Sequence, residues 1–295
     1  MSADNAPLSL PPWQGGDGAA LAVTRWLPSG DPRAVVLLAH GYAEHAGRYG
    51  HVAARLTAAG YAVYAVDHWG HGKSDGAMGY VPRFALYVQG MAALIERVRE
   101  AWPGKPRLLL GHSMGGLIAT LLLIEHQRDF AVAALSGPAI LTPAPPSRLT
   151  IWLSRFLSRY VPRAGVMKLD PAGVSRDPAV VAAYLADPFV HGGKMSARLA
   201  AEMFDAMARA REGAGAITLP LLLQHGAEDR LTAPEGSRFL FDHVASVDKR
   251  LEIYPGLFHE IYNEPERDAV LDDLIGWFDG HVPLSPSREA QKETP

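Results

Sequence analysis

A serine with the surroundings of a nucleophile lies in the segment Gly111-His112-Ser113-Met114-Gly115. This G-x-S-x-G pattern follows an apolar run and precedes a helical one, which is the strand, turn and helix context that a nucleophile elbow requires. Glycines two residues before and two after the serine keep the tight turn free of clashes with the neighbouring chain. We therefore predict that the hydroxyl group of Ser113 attacks acyl carbonyl groups.

A serine hydroxyl is a poor nucleophile at neutral pH, so Ser113 needs a histidine to accept its proton and a carboxylate to orient that histidine. Where such an elbow serves a hydrolase, the chain order is serine, acid, histidine. Asp229 follows the apolar run 219–226, and His259 follows the run 250–256. Both residues are therefore expected at the ends of consecutive strands, and we predict that they complete the site, with Glu228 as the competing acid.

A second match to G-x-S-x-G, from Gly72 to Gly76, lacks this context. It begins five residues beyond the apolar run 61–67 and leads into Pro82 rather than into a helical pattern. The same segment nearly completes a phosphate-binding loop, but that motif demands glycine where this chain has Asp67. The segment predicts neither a nucleophile nor a nucleotide site.

The stretch AHGYAEHAGRY, residues 39–49, places His40, Glu44 and His45 close together. Zinc proteases of the inverted type carry H-x-x-E-H on a helix. Here the run is one residue too long, and His40 ends a strand-like segment, so the spacing does not predict a metal site. We expect these three side chains to brace the loop by hydrogen bonds.

Short apolar runs predict the strands that position these residues. Because the runs are continuous rather than alternating, we expect a mostly parallel central sheet with helices on both faces. Helical periodicity recurs between the runs, at 49–60, 86–101, 114–128 and 266–278. Strands that alternate with helices indicate an α/β protein. The predicted strands lie within 34–40, 61–67, 107–113, 131–137, 219–226 and 250–256.

The alternation stops between about Pro138 and Thr218, where helical patterns follow one another without a convincing strand. This region predicts an inserted helical cap. Its first helix carries an apolar stripe, for which packing in the core and contact with a lipid or membrane surface are equally open interpretations. The stripe consists of Leu149, Trp152, Leu153, Phe156, Leu157, Tyr160 and Val161.

The composition excludes several classes of function. Hydrophobic residues make up 48% and charged residues 20% of the 295 positions, as in ordinary globular proteins. The net charge of −3 provides no basic surface for nucleic acid, which is therefore not an expected partner. The chain contains no cysteine, so disulfides, a thiol nucleophile and thiolate metal sites are excluded.

The N-terminal segment has neither the basic region nor the apolar core of a secretory signal, and no apolar run reaches the length of a membrane span. A cytoplasmic protein is expected, with peripheral contact to a membrane or micelle through the cap left open. The sequence predicts a flexible segment at 1–19, a core in two parts at 20–140 and 217–281, a cap at 141–216 and a disordered tail at 282–295.

Taken together, these segments resemble the monoacylglycerol lipase family of α/β-hydrolases from about residue 20 to residue 280. The likeness rests on HGYAEHAGRY, DHWGHGKSDG, GHSMGG, LLLQHGAEDRLT and YPGLFHE. It implies an α/β-hydrolase fold in which Ser113 is the nucleophile, Asp229 the orienting acid and His259 the base. It also implies an oxyanion hole formed by the backbone N–H groups of Tyr42 and Met114.

The resemblance extends to residues around the substrate head group. The segment VAAYLADP is similar to a family segment whose tyrosine lies near the polar end of the substrate, which points to Tyr184. Arg48 would line the same place for glycerol. Tyr262 stands where relatives carry histidine, and Ala43 where they often carry glycine, so the resemblance does not fix the head-group preference.

The function that the resemblance implies is hydrolysis of monoacylglycerols to a fatty acid and glycerol, with a lipid ester as partner and without a metal or organic cofactor. A lysophospholipase or a broad-specificity carboxylesterase would use the same three residues, and both remain open alternatives. A non-catalytic ligand-binding protein with this fold is a third alternative, against which the complete set of three residues argues.

Overall fold

Eight strands form one sheet at the centre of the protein. The computed structural model describes residues 8–14, 18–144 and 147–282. The strand order across the sheet is β1-β2-β4-β3-β5-β6-β9-β10, and a separate pair is formed by β7 and β8. The strands are β1 (Leu8–Gln14), β2 (Ala20–Trp26), β3 (Ala34–Ala39), β4 (Tyr61–Val66), β5 (Arg107–His112), β6 (Val132–Ser136), β7 (Gly165–Met167), β8 (Met195–Ser196), β9 (Leu221–Gly226) and β10 (Lys249–Tyr254).

The helices flank this sheet or build the cap. Those before and after the cap alternate with the parallel strands, as an α/β fold requires. The helices are α1 (Gly50–Ala58), α2 (Ala85–Ala101), α3 (Met114–His126), α4 (Arg148–Tyr160), α5 (Pro178–Ala186), α6 (Ala197–Gly213), α7 (Pro234–His243) and α8 (Arg267–His281).

The six predicted strands are β3, β4, β5, β6, β9 and β10, and each pairs in parallel with its neighbour among these six. Their apolar runs are continuous because both faces of the sheet are covered. In β3, Val35 and Leu37 enter the apolar cluster on one face, and Val36 and Leu38 enter the cluster on the other. The prediction of an α/β-hydrolase fold with a mostly parallel sheet is confirmed.

The structure corrects part of the prediction of a flexible segment at 1–19, of which residues 1–7 and 15–17 lie outside the described residues. Residues 8–14 form β1, which pairs antiparallel with β2, and β2 pairs antiparallel with β4. The strand contains Pro11 and Pro12, which have no backbone N–H group to donate to a strand ladder. The pairing is irregular between Leu10 and Trp13, and β1 lies at the edge of the sheet, where prolines are tolerated.

The cap lies between β6 and β9 and contains α4, α5 and α6. Its helical character is confirmed, but the expectation of no strand is wrong, since β7 and β8 form a short antiparallel pair. These strands have only three and two residues, too few to show a periodicity in the sequence. Leu199 and Met203 of α6 belong to the apolar cluster that also contains α3, which fixes the cap on the core.

The apolar stripe of α4 faces outwards. Leu149 is 69% exposed, Trp152 60% and Tyr160 64%, and the rings of Trp152 and Phe156 stack on each other with centroids 5.5 Å apart. Among the apolar residues of the stripe none is fully buried. The structure therefore excludes core packing as the reason for the stripe. Among the described helices, none is long and apolar enough to cross a bilayer.

The predicted disordered tail at 282–295 lies outside the described residues, apart from Val282.

Candidate active site

Ser113 lies in a strained turn between β5 and α3. Its φ of 55° and ψ of −119° place a residue with a side chain in a region that normally favours glycine. The turn is held by backbone hydrogen bonds: the Ser113 N–H donates to the Ser136 carbonyl over 2.9 Å, and the Ser113 carbonyl accepts from Leu117 and Ala139. The strain presents the Ser113 side chain above the carboxyl end of the sheet.

The two glycines of the elbow have no room for a side chain. A Cβ atom at Gly115 would lie 2.0 Å from the carbonyl oxygen of Ala39, and one at Gly111 would lie 2.6 Å from the carbonyl oxygen of Gly115. Both contacts are with backbone atoms, which cannot move aside without shifting a strand or helix. The predicted need for glycine at these two positions is confirmed.

Asp229 and His259 meet beside this turn. They follow β9 and β10, which are parallel neighbours, so their loops emerge at the same edge of the sheet. The His259 Nδ1 atom lies 2.6 Å from Asp229 Oδ2. The other carboxylate oxygen of Asp229 accepts hydrogen bonds from the backbone N–H groups of Leu231 and Thr232. Glu228, the competing acid in the sequence, is exposed to solvent.

The charges of this pair shift both pKa values. Burial alone would favour the neutral imidazole, but the Asp229 carboxylate outweighs burial and raises the pKa of His259 above its ordinary value. Burial likewise opposes ionisation of Asp229, yet His259 and His225 together hold its pKa well below the usual range. Asp229 is therefore ionised at neutral pH and is placed to accept a hydrogen bond from His259 Nδ1.

Two partners of Asp229 were not identified from the sequence. The Nε2 atom of His225, in β9, lies 3.1 Å from Asp229 Oδ2, and the Thr232 hydroxyl donates to the same oxygen over 2.8 Å. Both residues belong to the segment LLLQHGAEDRLT, so the sequence shows that they lie close to Asp229 along the chain. It does not show that their side chains point towards the Asp229 carboxylate, because this depends on the shape of the turn after β9.

A cavity of about 620 Å³ opens in front of these residues. Ser113, His259, Tyr42 and Met114 all line it. The structure therefore brings together the predicted nucleophile, base and oxyanion-hole residues at one cavity. Most of its remaining wall is apolar and includes Leu141, Met195, Met203, Phe204, Met207 and Leu231.

The two residues predicted to form the oxyanion hole, Tyr42 and Met114, both line this cavity. Met114 is the first residue of α3, so its N–H has no acceptor within the helix and lies at the positive end of the helix dipole. Tyr42 belongs to the loop that follows β3, where Ala43 adopts a positive φ of 65°.

The loop after β3 is braced by its own polar side chains, as predicted. Glu44 accepts hydrogen bonds from the Gly41 N–H and from the Tyr49 hydroxyl, each over 2.6 Å. The His45 Nε2 atom lies 2.9 Å from Asp187 of the cap. The His40 Nδ1 atom lies 2.8 Å from the Gly41 carbonyl oxygen. The expectation that these three side chains brace the loop is confirmed.

Arg48 is held by carboxylates rather than presented to the cavity. Its guanidinium pairs with Glu44 over 2.7 Å and with both carboxylate oxygens of Glu260 over 2.7 Å. The ring of Tyr184 covers it, with a distance of 4.7 Å from the guanidinium carbon to the ring centroid. Arg48 does not belong to the described residues that line the 620 Å³ cavity.

The two tyrosines named for the head group occupy different places. Tyr184 and Tyr42 line a small pocket of about 60 Å³, whose wall also includes Lys168 and Leu169 of the large cavity. Tyr262 is buried, and its hydroxyl donates to the Gln224 side chain over 2.7 Å. The structure thus brings Tyr184, but not Tyr262, to the edge of the large cavity.

No group of three or more metal-ligating side chains is found in the part of the chain that the structure describes.

Residues 30–266 match the family model described as Serine aminopeptidase, S33. The chain is 44% identical to the monoacylglycerol lipase of Mycolicibacterium smegmatis, over 90% of this chain and 95% of that protein. It is 32% identical to the monoglyceride lipase of Homo sapiens, over 91% of this chain and 89% of that protein.

Among solved structures, the monoacylglycerol lipase of Paleococcus ferrophilus superposes with a TM-score of 0.80 at 34% identity, covering 89% of this chain and 99% of that chain. The fold, the elbow and the extent of these matches agree with one another: the chain belongs to the monoacylglycerol lipase family of α/β-hydrolases.

Proposed function

We propose that the chain hydrolyses the ester bond of monoacylglycerols through an acyl-enzyme formed on Ser113. The observation that carries this proposal is the Asp229–His259 pair, whose histidine lines the same largely apolar cavity as the strained Ser113 turn. A nucleophile with its base at the mouth of an apolar cavity is suited to an ester that has a long alkyl chain.

In the first half of the reaction, the Ser113 oxygen attacks the acyl carbonyl carbon while His259 Nε2 accepts its proton. The carbonyl oxygen becomes an oxyanion, to which the N–H groups of Tyr42 and Met114 donate. Collapse of this intermediate breaks the bond to the glycerol oxygen, which takes the proton from His259. The products of this half are free glycerol and an acyl ester of Ser113.

In the second half, water attacks the acyl ester and gives its proton to His259. The second oxyanion collapses, the bond to the Ser113 oxygen breaks, and that oxygen recovers the proton from His259. The fatty acid then leaves. Throughout both halves Asp229 stays ionised and stabilises the imidazolium form of His259.

The two parts of the substrate would occupy different walls of the site. The apolar residues from the cap would receive the acyl chain, since burial of each methylene group contributes about 0.8 kcal/mol. The small pocket beside Tyr184 would receive the glycerol hydroxyl groups. There the Tyr42 hydroxyl is buried and has no hydrogen-bond partner among the described residues, so a substrate hydroxyl could serve as one.

The exposed stripe of α4 would contact the lipid surface from which the substrate comes. Trp152 and Phe156 are aromatic residues suited to the interface between water and lipid, and Arg148 and Arg159 lie on the same helix for attraction to anionic lipids. This contact is transient and leaves the protein at the surface of a membrane or micelle.

The proposal is tested by comparing a long-chain monoacylglycerol, a lysophosphatidylcholine and a short-chain ester as substrates. The monoacylglycerol is expected to give the highest kcat/KM. Equal values for all three would contradict a dedicated monoacylglycerol lipase and favour a broad carboxylesterase. A preference for lysophosphatidylcholine would favour a lysophospholipase.

The nucleophile is tested with Ser113→Ala and with Ser154→Ala, a serine of α4, as the matched control. Ser113→Ala is expected to abolish hydrolysis and labelling by a fluorophosphonate probe without changing the melting temperature. Ser154→Ala should keep both activities. Wild-type protein that neither hydrolyses an ester nor reacts with the probe would indicate a non-catalytic binding protein.

A further inference from the structure

His40 makes two hydrogen bonds with the backbone beneath the loop after β3. Its side chain is completely buried at the end of that strand. The Nε2 atom lies 3.0 Å from the backbone nitrogen of His68, and the Nδ1 atom lies 2.8 Å from the carbonyl oxygen of Gly41. Both ring nitrogens therefore have a backbone partner.

These partners determine the tautomer of His40. A backbone N–H group can only donate, so the Nε2 atom that faces His68 must carry a lone pair. A carbonyl oxygen can only accept, so the Nδ1 atom must carry the hydrogen and donate it to Gly41. Burial also lowers the pKa of His40, which favours the neutral ring that this arrangement requires.

The hydrogen bond to Gly41 fixes the direction of another group. The Gly41 carbonyl and the Tyr42 N–H belong to one peptide unit, which is planar and trans, so the two bonds point in opposite directions. With the carbonyl held towards His40, the N–H of Tyr42 must point away from it. The neighbouring peptide is held as well, since the Gly41 N–H donates to Glu44 over 2.6 Å.

Packing prevents the His40 ring from turning away. Its centroid lies 4.2 Å from that of His68 and 5.4 Å from that of His71. All three rings are buried, and the Nε2 atoms of His68 and His71 have no hydrogen-bond partner among the described residues. His40 is thus the member of this cluster whose ring bonds to the Gly41 carbonyl.

We propose that neutral His40, as the Nδ1–H tautomer, is a positioning residue for the oxyanion hole, because it sets the Gly41–Tyr42 peptide so that the Tyr42 N–H donates to the oxyanion. This inference rests on the proposed ester hydrolysis at Ser113. It assigns to His40 an effect on the transition state and not on substrate binding.

Two substitutions separate the two hydrogen bonds. In His40→Asn the amide nitrogen takes the place of Nδ1 and can still donate to the Gly41 carbonyl. In His40→Gln the amide takes the place of Nε2, so it can still accept from the His68 N–H group but no longer donates to Gly41. We expect His40→Gln to lower kcat by about a hundredfold with little change in KM, the loss typical of a missing oxyanion donor. His40→Asn should keep kcat within about threefold of wild type, since the donor that acts on the peptide remains.

His71→Asn is the matched control, since it alters the same buried cluster without touching the Gly41 carbonyl. It should lower the melting temperature while leaving kcat unchanged. The rate of fluorophosphonate labelling should follow kcat across all variants, because the phosphonyl oxygen occupies the same hole. Equal losses in His40→Asn and His40→Gln, or a loss confined to the melting temperature, would overturn the inference.

The tautomer is tested in the wild-type protein, so the inference stays falsifiable where a variant fails to fold. Nitrogen chemical shifts of the His40 ring should report a protonated Nδ1 and an unprotonated Nε2, and the opposite tautomer would refute the proposal. All kinetic tests use whichever ester the wild type hydrolyses fastest. A wild type without esterase activity would contradict the proposed function, whereas an active wild type with an unaffected His40→Gln would contradict only the role of His40.

Discussion

Arg48 and Glu260 form a two-pronged ion pair, with Nη1–Oε1 and Nη2–Oε2 distances of 2.7 Å. Arg48 comes from the short helical turn after β3, and Glu260 follows His259 directly. Because the same guanidinium also pairs with Glu44, it joins the loop that carries Tyr42 to the loop that carries His259. The proposed oxyanion hole and the proposed base are therefore tied together by one partly buried cation.

Replacing this cation should destabilise the protein rather than weaken head-group binding. Arg48→Met leaves Glu44 and Glu260 buried without a counterion, and breaking a buried ion pair in this way costs about 3–5 kcal/mol. Arg48→Lys keeps the positive charge but cannot form the two parallel hydrogen bonds to Glu260. Its loss of stability should therefore be smaller than that of Arg48→Met. Urea denaturation measures both. A variant with wild-type stability and a raised KM for monoacylglycerol would instead show that Arg48 contacts the substrate.

The proposed base predicts the pH dependence of the rate. His259 must be neutral to accept the proton of Ser113, so kcat/KM should rise as the pH increases through its pKa and then level off. Since the Asp229 carboxylate raises that pKa, the rising limb should lie above the ordinary imidazole value of about 6.5.

Removing the charge of Asp229 provides the control for this profile. Asp229→Asn should move the limb to lower pH, because the neutral amide no longer favours the imidazolium. It should also lower kcat by about 10⁴-fold, through loss of the tautomer that presents Nε2 to Ser113. A limb that stays in place in the variant would mean that another group titrates.

The sequence predicted those elements in which burial directly determines the order of apolar and polar residues. The six parallel strands are covered on both faces, which leaves continuous apolar runs, and the elbow carries a strand, turn and helix signal around Ser113. The edge strand β1 was missed because Pro11 and Pro12 contradict a regular ladder, although an irregular edge position accommodates them.

The roles of single polar side chains were less predictable. Arg48 and Tyr262 were assigned to the head group by resemblance, but the direction of each depends on partners distant in the chain. Glu260 lies 212 residues from Arg48, and Gln224 lies 38 residues from Tyr262. The stripe of α4 was ambiguous for a related reason, since an amphipathic pattern does not reveal what its apolar face contacts.

Gly115 of the elbow and Gly276 of α8 predict opposite effects for the same substitution to alanine. Gly115→Ala places a methyl group against the Ala39 carbonyl and should destabilise the protein by more than about 4 kcal/mol, or prevent folding. Gly276→Ala in α8 meets no atom within 4 Å and should stabilise it by about 0.4–1 kcal/mol through the unfolded chain. Thermal denaturation of both variants checks this, and a Gly115→Ala protein as stable as wild type would contradict the packing described for the turn.

The exposed face of α4 predicts that lipid binding can be weakened without altering the chemistry. Trp152→Ser with Phe156→Ser removes two aromatic side chains from the proposed lipid contact, and loss of about 1.5–3 kcal/mol of apolar transfer energy for each should lower vesicle affinity at least tenfold. Flotation with vesicles that contain anionic lipid measures this affinity. Val247→Ser is the control, because Val247 is 98% exposed but lies outside the cap.

Hydrolysis of a soluble short-chain ester should stay at the wild-type rate in both proteins, since neither substitution touches the cavity of Ser113. Unchanged vesicle binding in the double variant would place the lipid contact elsewhere.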